Sequence, residues 1–376
     1  MNIPLFKNYS DEKEIQYTKT VIERGMHWAN GPEVTKFEEN ISQFLGKKYC
    51  LTFNSGTSAL HAILFSYDIK NKEVIVPSFT FIATANAVIQ AGGKPIFADI
   101  EEETFGLDPE SIKEKITSKT VAILPVHYGG CPCKIKEIKD IAEDHNLILI
   151  EDAAESLGAK IKDKLVGTFG DSSIFSFTPT KIISTGEGGM AVTDSKDTFE
   201  KLKLIRSHGR LETENYFDSI KSMDYITLGY NFRMPTICAA LGLAQLEKIE
   251  SFIKIRREIA AYYNTKLGRL NHIKCPITPP NYFHIYQMYY FLVHSGREAR
   301  DKLQKYLKEN GISSKVYFEP VHKTYYYEKI LKYSIKLDKT EELSDKVLSI
   351  PIFPALKQEE RDYIIEKIIN FFSSFT

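Results

Sequence analysis

Short apolar runs recur along the middle of the chain, separated by longer stretches of mixed polarity. We predict that six of these runs are β-strands, over Glu73–Pro77, Pro95–Asp99, Val121–Pro125, Leu147–Glu151, Ser173–Phe177 and Met190–Thr193. Helical spacing of the apolar residues predicts helices between them, over Phe79–Ala91 and Lys134–His145. Nearly all-apolar strands that alternate with helices are typical of a mostly parallel sheet covered on both faces. Ligands of such sheets bind at the carboxyl ends of the strands.

The pattern changes after about residue 245. The elements predicted beyond it are a helix over Glu247–Leu267, a strand over Tyr286–Val293 and helices over Arg297–Asn310 and Glu359–Phe372. Gly311 stands where a glycine closes a helix, and the proline-containing segment Asn271–Phe283 is the predicted link into this part. The sequence therefore predicts an α/β protein in two domains. Residues 1–245 form a large domain, and residues 246–376 form a long connecting helix and a smaller C-terminal α/β domain.

Length and charge narrow the class of protein. The chain has 376 residues, with 49 Lys and Arg against 49 Asp and Glu, so it carries no formal net charge. A protein that binds the phosphate backbone of nucleic acid usually has a basic excess, so we expect no nucleic-acid partner. The N-terminus lacks the apolar core of a signal peptide, and no stretch is apolar enough to span a bilayer. We expect a cytoplasmic protein without a membrane partner.

Neither the cysteines nor the glycine pattern indicates a familiar site. The five cysteines are Cys50, Cys131, Cys133, Cys238 and Cys275; their number is odd and their spacing fits no zinc module. We therefore expect free thiols and no metal. The chain has no GxGxxG after the first strand and no GxxxxGK[ST] sequence, which argues against a dinucleotide fold and a P-loop.

Three segments carry candidate chemistry. In the first, Ser55, Gly56 and Thr57 open a predicted helix, where free backbone amides and the helix dipole suit a phosphate; a plain helix N-cap is the alternative. In the second, Asp152 follows a strand and can hold a ligand cation such as a protonated ring nitrogen, or it can cap a helix. In the third, Lys181 lies in a turn between a strand and a glycine-rich loop.

A lysine in such a turn differs from one on a solvated helix face. If its amine is partly desolvated, it can form a Schiff base, although a single lysine is more often a surface residue. Together the three segments supply a phosphate cradle, an acid for a pyridinium and an amine for an aldehyde. That combination is what pyridoxal 5'-phosphate (PLP) requires.

With these segments in view, the sequence resembles the DegT/StrS-type nucleotide-sugar aminotransferases, which are PLP enzymes of the aspartate aminotransferase fold (type I). The resemblance runs nearly end to end. The ordered blocks that carry it include Ser55-Gly56-Thr57, Pro77-Ser78-Phe79-Thr80-Phe81, Pro125-Val126-His127-Tyr128-Gly129, Glu151-Asp152-Ala153-Ala154, Ser176-Phe177 with Lys181, Gly186-Glu187-Gly188-Gly189 and Gly229-Tyr230-Asn231-Phe232-Arg233-Met234. It implies that the large domain binds PLP on a mostly parallel seven-stranded sheet in an α/β/α arrangement.

The resemblance also implies a role for each candidate residue. Lys181 would bond to the cofactor and carry the proton, Asp152 would pair with the pyridine nitrogen, and Phe81 would stack on the ring. Gly56, Thr57 and Ser176 would hold the phosphate, and Asn231 would reach it from the neighbouring subunit of a homodimer. Glu155 stands where relatives often carry Gln or His beside the cofactor. Tyr317 and His322 lie in a segment that approaches the sugar in relatives, although His322 can equally be structural.

The implied reaction moves an amino group from L-glutamate to an NDP-linked keto-sugar. Glu187 and the run Ala153–Ser156 favour C-4 of an NDP-4-keto-6-deoxyhexose, as in enzymes that make perosamine- or viosamine-type sugars. Amination at C-3 is the alternative. A keto-sugar dehydratase of this family would carry His in place of Lys181, and a non-enzymatic regulatory protein would not need a complete set of cofactor residues.

Overall fold

The computed structural model of the protein describes residues 1–211, 220 and 222–373. Its helices are α1 (Glu12–Arg24), α2 (Pro32–Leu45), α3 (Gly56–Ser66), α4 (Ala83–Gln90), α5 (Pro109–Lys115), α6 (Ile135–Asp144), α7 (Lys196–Arg206), α8 (Thr236–Leu246), α9 (Ile249–Leu267), α10 (Arg297–Glu309), α11 (Asp338–Lys346) and α12 (Gln358–Ser373). Its strands are β1 (Tyr49–Phe53), β2 (Glu73–Pro77), β3 (Lys94–Ala98), β4 (Thr120–Ile123), β5 (Ile148–Asp152), β6 (Lys160–Ile161), β7 (Lys164–Leu165), β8 (Ser172–Ser176), β9 (Gly189–Thr193), β10 (Ile273–Lys274), β11 (Tyr282–Phe283), β12 (Tyr289–Val293) and β13 (Val347–Ile350).

Seven strands form one large sheet in the order β1-β9-β8-β5-β4-β2-β3. β9 runs antiparallel to both of its neighbours, and the other neighbouring pairs are parallel. Successive residues point to opposite faces, so Ile123 and Phe175 join one hydrophobic cluster while Ala122 and Ile174 join another. The mostly parallel seven-stranded sheet covered on both faces is confirmed.

The predicted strands agree with the structure to within one residue at most of their ends. In the large sheet one strand, β1, was not predicted, and the short strands β6, β7, β10, β11 and β13 were not predicted either. β1 has an apolar run that Thr52 interrupts, and this threonine is buried with its hydroxyl donating to Glu38 Oε1 at 2.7 Å. One predicted helix was wrong at its start. We predicted Phe79–Ala91, whereas α4 begins at Ala83, because the chain first crosses the edge of the sheet and buries Phe79 against Tyr128.

The C-terminal part has its own three-stranded antiparallel sheet, in the order β10-β12-β13. Helices α9, α10 and α12 contribute to the hydrophobic cluster around it, through residues such as Tyr263, Leu303 and Ile368. The predicted helices here are confirmed, and Gly311 follows the end of α10 with φ of 72°. The predicted strand at Tyr286–Val293 starts three residues later, at Tyr289. The division at residue 245, near the end of α8, stays a prediction.

None of the helices in the described ranges is both long and apolar enough to cross a membrane. Within the same ranges, His, Cys, Asp and Glu form no group of three or more that is arranged to hold a metal ion.

Candidate active site

A cavity of about 470 Å³ opens at the carboxyl edge of the large sheet. Asp152 and Ser176 reach it from the ends of the neighbouring parallel strands β5 and β8. The opposite wall comes from the C-terminal part, through residues that include Gln287, Tyr317 and Ser349. The cavity therefore lies where parallel-sheet proteins bind ligands, and both parts of the chain enclose it.

The N-terminus of α3 forms one end of the cavity. Ser55 is its N-cap and accepts a hydrogen bond from the Ser58 amide at 3.1 Å, so the predicted cap is present. Gly56 and Thr57 line the cavity as the first two helical residues, whose amides have no carbonyl four residues back within the helix. A Cβ on Gly56 would lie 2.9 Å from the Cβ of Ser176, so glycine lets the two segments approach. The amides of Gly56 and Thr57, the dipole of α3 and the hydroxyl of Ser176 together form a cradle for a phosphate.

The two acidic residues at the end of β5 face different surroundings. Glu151 is fully buried away from the cavity; its Oε2 is 3.0 Å from His127 Nε2 and also accepts from the Gly167 amide at 2.8 Å. Its Oε1 accepts from the amides of Phe169 and Gly170 at 2.6 and 2.7 Å. Burial alone would raise the pKa of Glu151, but the contact with His127 and these amides hold that pKa below its usual range.

Asp152 lines the cavity and has fewer partners. Its Oδ2 accepts from the Thr84 hydroxyl at 2.8 Å, and its Oδ1 accepts from the Ala154 amide at 3.2 Å. Burial raises the pKa of Asp152, and these hydrogen bonds oppose the effect only in part. A cation in the cavity, such as a protonated ring nitrogen, would stabilise the ionised carboxylate.

Lys181 lies in the connection between β8 and β9, where its amide donates to Thr178 O and closes a turn. Its Nζ is 3.1 Å from Glu155 Oε1, and only 14% of the Lys181 side chain is exposed. Both residues line the cavity together with Asp152. The predicted lysine is thus a partly buried amine beside an acid, and not a surface residue.

Phe81 is another predicted residue that lines the cavity. Although it is a large aromatic side chain, 58% of it is exposed, and its ring centroid lies 5.9 Å from that of Phe318. An apolar ring left uncovered beside an acid and an amine offers a flat surface on which a planar ligand can stack.

The other three predicted residues differ in position. Tyr317 lines the cavity, and its carbonyl accepts from the Tyr128 hydroxyl. His322 is buried outside the cavity lining: its Nδ1 lies 2.6 Å from Ser78 Oγ and its Nε2 lies 3.3 Å from Glu341 Oε1. Its ring bridges Ser78 and Glu341, and the contact with the sugar that the resemblance implies stays a prediction. Asn231 is exposed outside the cavity lining, and its carbonyl accepts from Asn54 Nδ2 at 3.3 Å.

Sequence reasoning gave no role to three residues that the structure brings to the cavity. Thr84 donates to Asp152 from the first turn of α4. Gln287 is buried, and its Nε2 donates to the Thr180 carbonyl next to Lys181. Lys315 brings a second positive charge to the lining. Thr84 lies within the predicted helix Phe79–Ala91, whereas no local signal connects Gln287 or Lys315 with Lys181.

The groups that line this cavity match the chemical groups of PLP. The cradle at Gly56 has glycine where a Cβ would meet Ser176, the acid and the amine line the same cavity, and Phe81 offers its ring face. A phosphate, a ring nitrogen, an aldehyde and a planar ring each have a matching group.

Comparison with known proteins gives consistent results. The model of the DegT/DnrJ/EryC1/StrS aminotransferase family matches residues 8–369. The sequence is 37% identical over 373 residues to a GDP-perosamine synthase of Escherichia coli O157:H7, with 99% of each chain covered. The solved structure of Helicobacter pylori PseC, an aminotransferase involved in the biosynthesis of pseudoaminic acid, has a TM-score of 0.94 at 27% identity and covers 100% of both chains. The putative sugar aminotransferase Spr1654 from Streptococcus pneumoniae, in its PLP-form, has a TM-score of 0.94 at 25% identity, again over 100% of both chains.

Proposed function

The chain belongs to the DegT/DnrJ/EryC1/StrS aminotransferase family and is a PLP-dependent nucleotide-sugar aminotransferase, and we propose that it aminates C-4 of an NDP-4-keto-6-deoxyhexose. L-Glutamate is the proposed amino donor. The observation that carries the proposal is the convergence of Lys181, Asp152 and the α3 N-terminus in one cavity. Similarity to GDP-perosamine synthases supports the C-4 ketone and the perosamine- or viosamine-type product.

In the proposed site most of the groups that hold the cofactor come from a single subunit. Bound PLP supplies an aldehyde for amines and a ring that withdraws electrons. The Gly56 and Thr57 amides and the Ser176 hydroxyl bind the phosphate, and Phe81 stacks on the ring. Asp152 Oδ atoms keep the ring nitrogen protonated, because an opposite charge favours the charged form. Lys181 Nζ provides the amine and moves the substrate proton.

The substrate side of the proposed site faces the C-terminal wall. Glu155 and Tyr317 line the cavity beside Lys181, and we assign them to positioning of the reacting groups. Lys315 also lines it, and the structure shows no carboxylate of a described residue within 4.0 Å of its Nζ. Its charge suits the diphosphate of a nucleotide sugar. We propose that His322 acts on the substrate only indirectly, by holding the segment that follows Tyr317.

A homodimer with shared sites is part of the proposal. Asn231 is exposed, and large apolar side chains nearby in sequence, Tyr225, Ile226 and Leu228, are more than half exposed, as is Trp28. Exposed apolar groups of this size are typical of an interaction surface. A phosphate carries close to two negative charges and needs several donors, which supports an additional one from a second subunit through Asn231.

Subunit mixing tests the shared site. Lys181→Ala and Asn231→Ala proteins should each be inactive alone, and their mixture should recover toward roughly a quarter of wild-type activity, since half of the dimers are mixed and each has one intact site. No recovery, with subunit exchange shown independently, would contradict a donor from the partner.

The reaction itself is tested by incubating the protein with PLP, L-glutamate and a panel of NDP-4-keto-6-deoxy sugars, followed by NMR of the product. We expect a new amine at C-4. An amine at C-3 would favour the alternative position, and loss of a hydroxyl without amination would favour a dehydratase. Borohydride treatment of the PLP-loaded protein, followed by mass spectrometry, should place the cofactor on Lys181; an adduct on another lysine would overturn that assignment.

A further inference from the structure

A buried carboxylate holds the lysine of the cavity from one side. Glu155 Oε1 lies 3.1 Å from Lys181 Nζ, and only 8% of the Glu155 side chain is exposed. The second oxygen, Oε2, accepts from the Gly129 amide at 2.9 Å. The Gly129 amide fixes this second oxygen and so holds the carboxylate beside Nζ.

Other charged and titratable groups line the cavity around this pair: Asp152, Glu187, Lys315 and Tyr317. Among the described residues, Glu155 alone places a carboxylate oxygen within 4.0 Å of Lys181 Nζ. Asp152 acts on Lys181 only through the longer-range attraction between their charges. Glu187 is exposed, and its Oε1 lies 3.4 Å from the Thr178 hydroxyl. Glu155 is therefore the group best placed to decide whether Nζ carries its extra proton.

Resting on the proposed aminotransferase function, we propose that Glu155 is a positioning residue that sets the protonation of Lys181. An ammonium nitrogen has no lone pair, so Nζ becomes a nucleophile only after it loses a proton. In this step one N–H bond of Nζ breaks and one O–H bond forms at Glu155 Oε1. The products are a neutral amine and a neutral carboxylic acid, and the reverse step restores the ion pair.

The arrangement gives Glu155 two uses. While the lysine is free, the carboxylate keeps the ammonium at a fixed place in the cavity. When the amine is needed, an acceptor for its proton lies within direct hydrogen-bond distance, without an intervening water. A glutamine at this position would keep the shape of the side chain and lose both the charge and the proton acceptor.

The test uses PLP-free protein and the chemical reactivity of Lys181. Acetic anhydride reacts with the neutral amine, so the rate of Lys181 acetylation, read by mass spectrometry from about pH 6 to about pH 10, reports its protonation. In Glu155→Gln we expect acetylation at neutral pH to rise about tenfold or more, because an opposite charge within ~4–6 Å strongly favours the charged form. The matched control is Glu187→Gln, which removes another carboxylate of the same cavity and should stay close to wild type.

Equal acetylation rates in wild type, Glu155→Gln and Glu187→Gln would overturn the proposal. Circular dichroism and thermal unfolding show whether the variants are folded. If Glu155→Gln does not fold, Glu155→Asp takes its place. Its carboxylate is withdrawn by one methylene, so we expect a smaller rise in the rate of Lys181 acetylation. An unchanged rate in this variant would also contradict the proposal. Neither cofactor nor keto-sugar takes part in acetylation. A protein that shows the expected reactivity yet aminates no sugar would refute the proposed function and leave this inference standing.

Discussion

Glu151 and Asp152 are neighbours on one strand, have the same functional group and differ in almost everything else. Glu151 is surrounded by donors, with His127 and three backbone amides around its two oxygens. Asp152 accepts two hydrogen bonds and faces a cavity. The pKa of Glu151 is lowered and that of Asp152 is raised. A one-residue step along a strand thus separates a carboxylate that organises the fold from one that lines the cavity with few donors of its own.

The contrast shows that burial alone does not tell a structural acid from a functional one. Both side chains are buried, and what separates them is whether the protein itself supplies enough donors for the charge. In Glu151 the donors are all present, so the charge ties the segment from Gly167 to Gly170 to the sheet. Asp152 accepts only two hydrogen bonds from the protein, and in the proposed site the protonated ring nitrogen of the cofactor completes its set of partners.

The largest expected effect concerns turnover. Asp152→Asn keeps the shape of the side chain and removes its charge, so we expect turnover to fall by about 10²–10³-fold, the usual consequence of losing a group that stabilises charge at the reacting centre. Cofactor binding, measured by absorbance titration, should largely persist through the phosphate cradle. Glu151→Gln is the comparison and should keep most of its turnover per folded molecule. Near-wild-type turnover in Asp152→Asn would remove the distinction between the two acids.

The next largest effect concerns the free energy of unfolding. Here we expect the Glu151 variant to be impaired and the Asp152 variant to be unimpaired. In Glu151→Gln an amide NH₂ replaces an oxygen that accepts two hydrogen bonds. The buried groups that donated to this oxygen then meet another donor, so we expect the free energy of unfolding to fall by about 2–3 kcal/mol. Asp152→Asn should leave the PLP-free protein as stable as wild type or slightly more so. Denaturant unfolding measures both. The exposed Glu143→Gln is the control for loss of a negative charge at the surface, and a Glu151→Gln protein as stable as that control would contradict our account.

The pH dependence of stability should separate the same two acids. Glu151 has a folded pKa below its reference of 4.5, so its contribution is present above that pH and is lost as the pH falls through the folded value. Asp152 has a folded pKa above its reference of 3.8, so its contribution is present below that pH and is lost as the pH rises. In thermal unfolding of PLP-free protein, the disadvantage of Glu151→Gln should shrink in acid. The relative advantage of Asp152→Asn should grow as the pH rises, and parallel pH curves for all proteins would argue against both assignments.

The smallest effect concerns the donor that Asp152 does have. Thr84→Val removes the hydroxyl 2.8 Å from Asp152 Oδ2 and keeps the branched shape. Loss of a hydrogen bond to a charged group typically lowers a rate or an equilibrium constant roughly tenfold, so we expect turnover to fall by about that factor. Thr80→Val is a close control, since the Thr80 hydroxyl lies 2.9 Å from that of Thr84 and not on the carboxylate. If the two variants fell equally, the contact with Asp152 would not be the cause.

How much of this site the sequence could predict depends on where each residue lies. Asp152, Lys181 and the Ser55 cap were found because strand ends and helix starts have local patterns, and parallel strands bring their carboxyl ends to one edge. Gln287 approaches Lys181 from the far C-terminal part, a contact that depends on how two regions pack and has no local signal. His322 shows the same limit: its ring pairs with Ser78 and Glu341, and both contacts depend on the fold.

Secondary structure shows the same division. The strands β2 to β5, β8 and β9 were predicted, whereas β1 was not; it lies at the edge of the sheet, and Thr52, the fourth of its five residues, interrupts the apolar run. The start of α4 was placed too early because Phe79 has the apolar character of a helix face. Its burial against Tyr128, which the sequence does not reveal, keeps it in the preceding loop.

The antiparallel strand β9 has a consequence for how the lysine segment can evolve. Ser176 and Gly189 are cross-strand partners, so the residues between them leave the sheet and return to it at the same point, as in a long hairpin. Five paired residues on each side hold the register of β8 and β9 without help from the loop. Exchanges and insertions within residues 177–188 therefore need not displace the strand that carries Asp152. An ancestor could change the chemistry of this loop, one residue at a time, on an inherited scaffold that stayed intact.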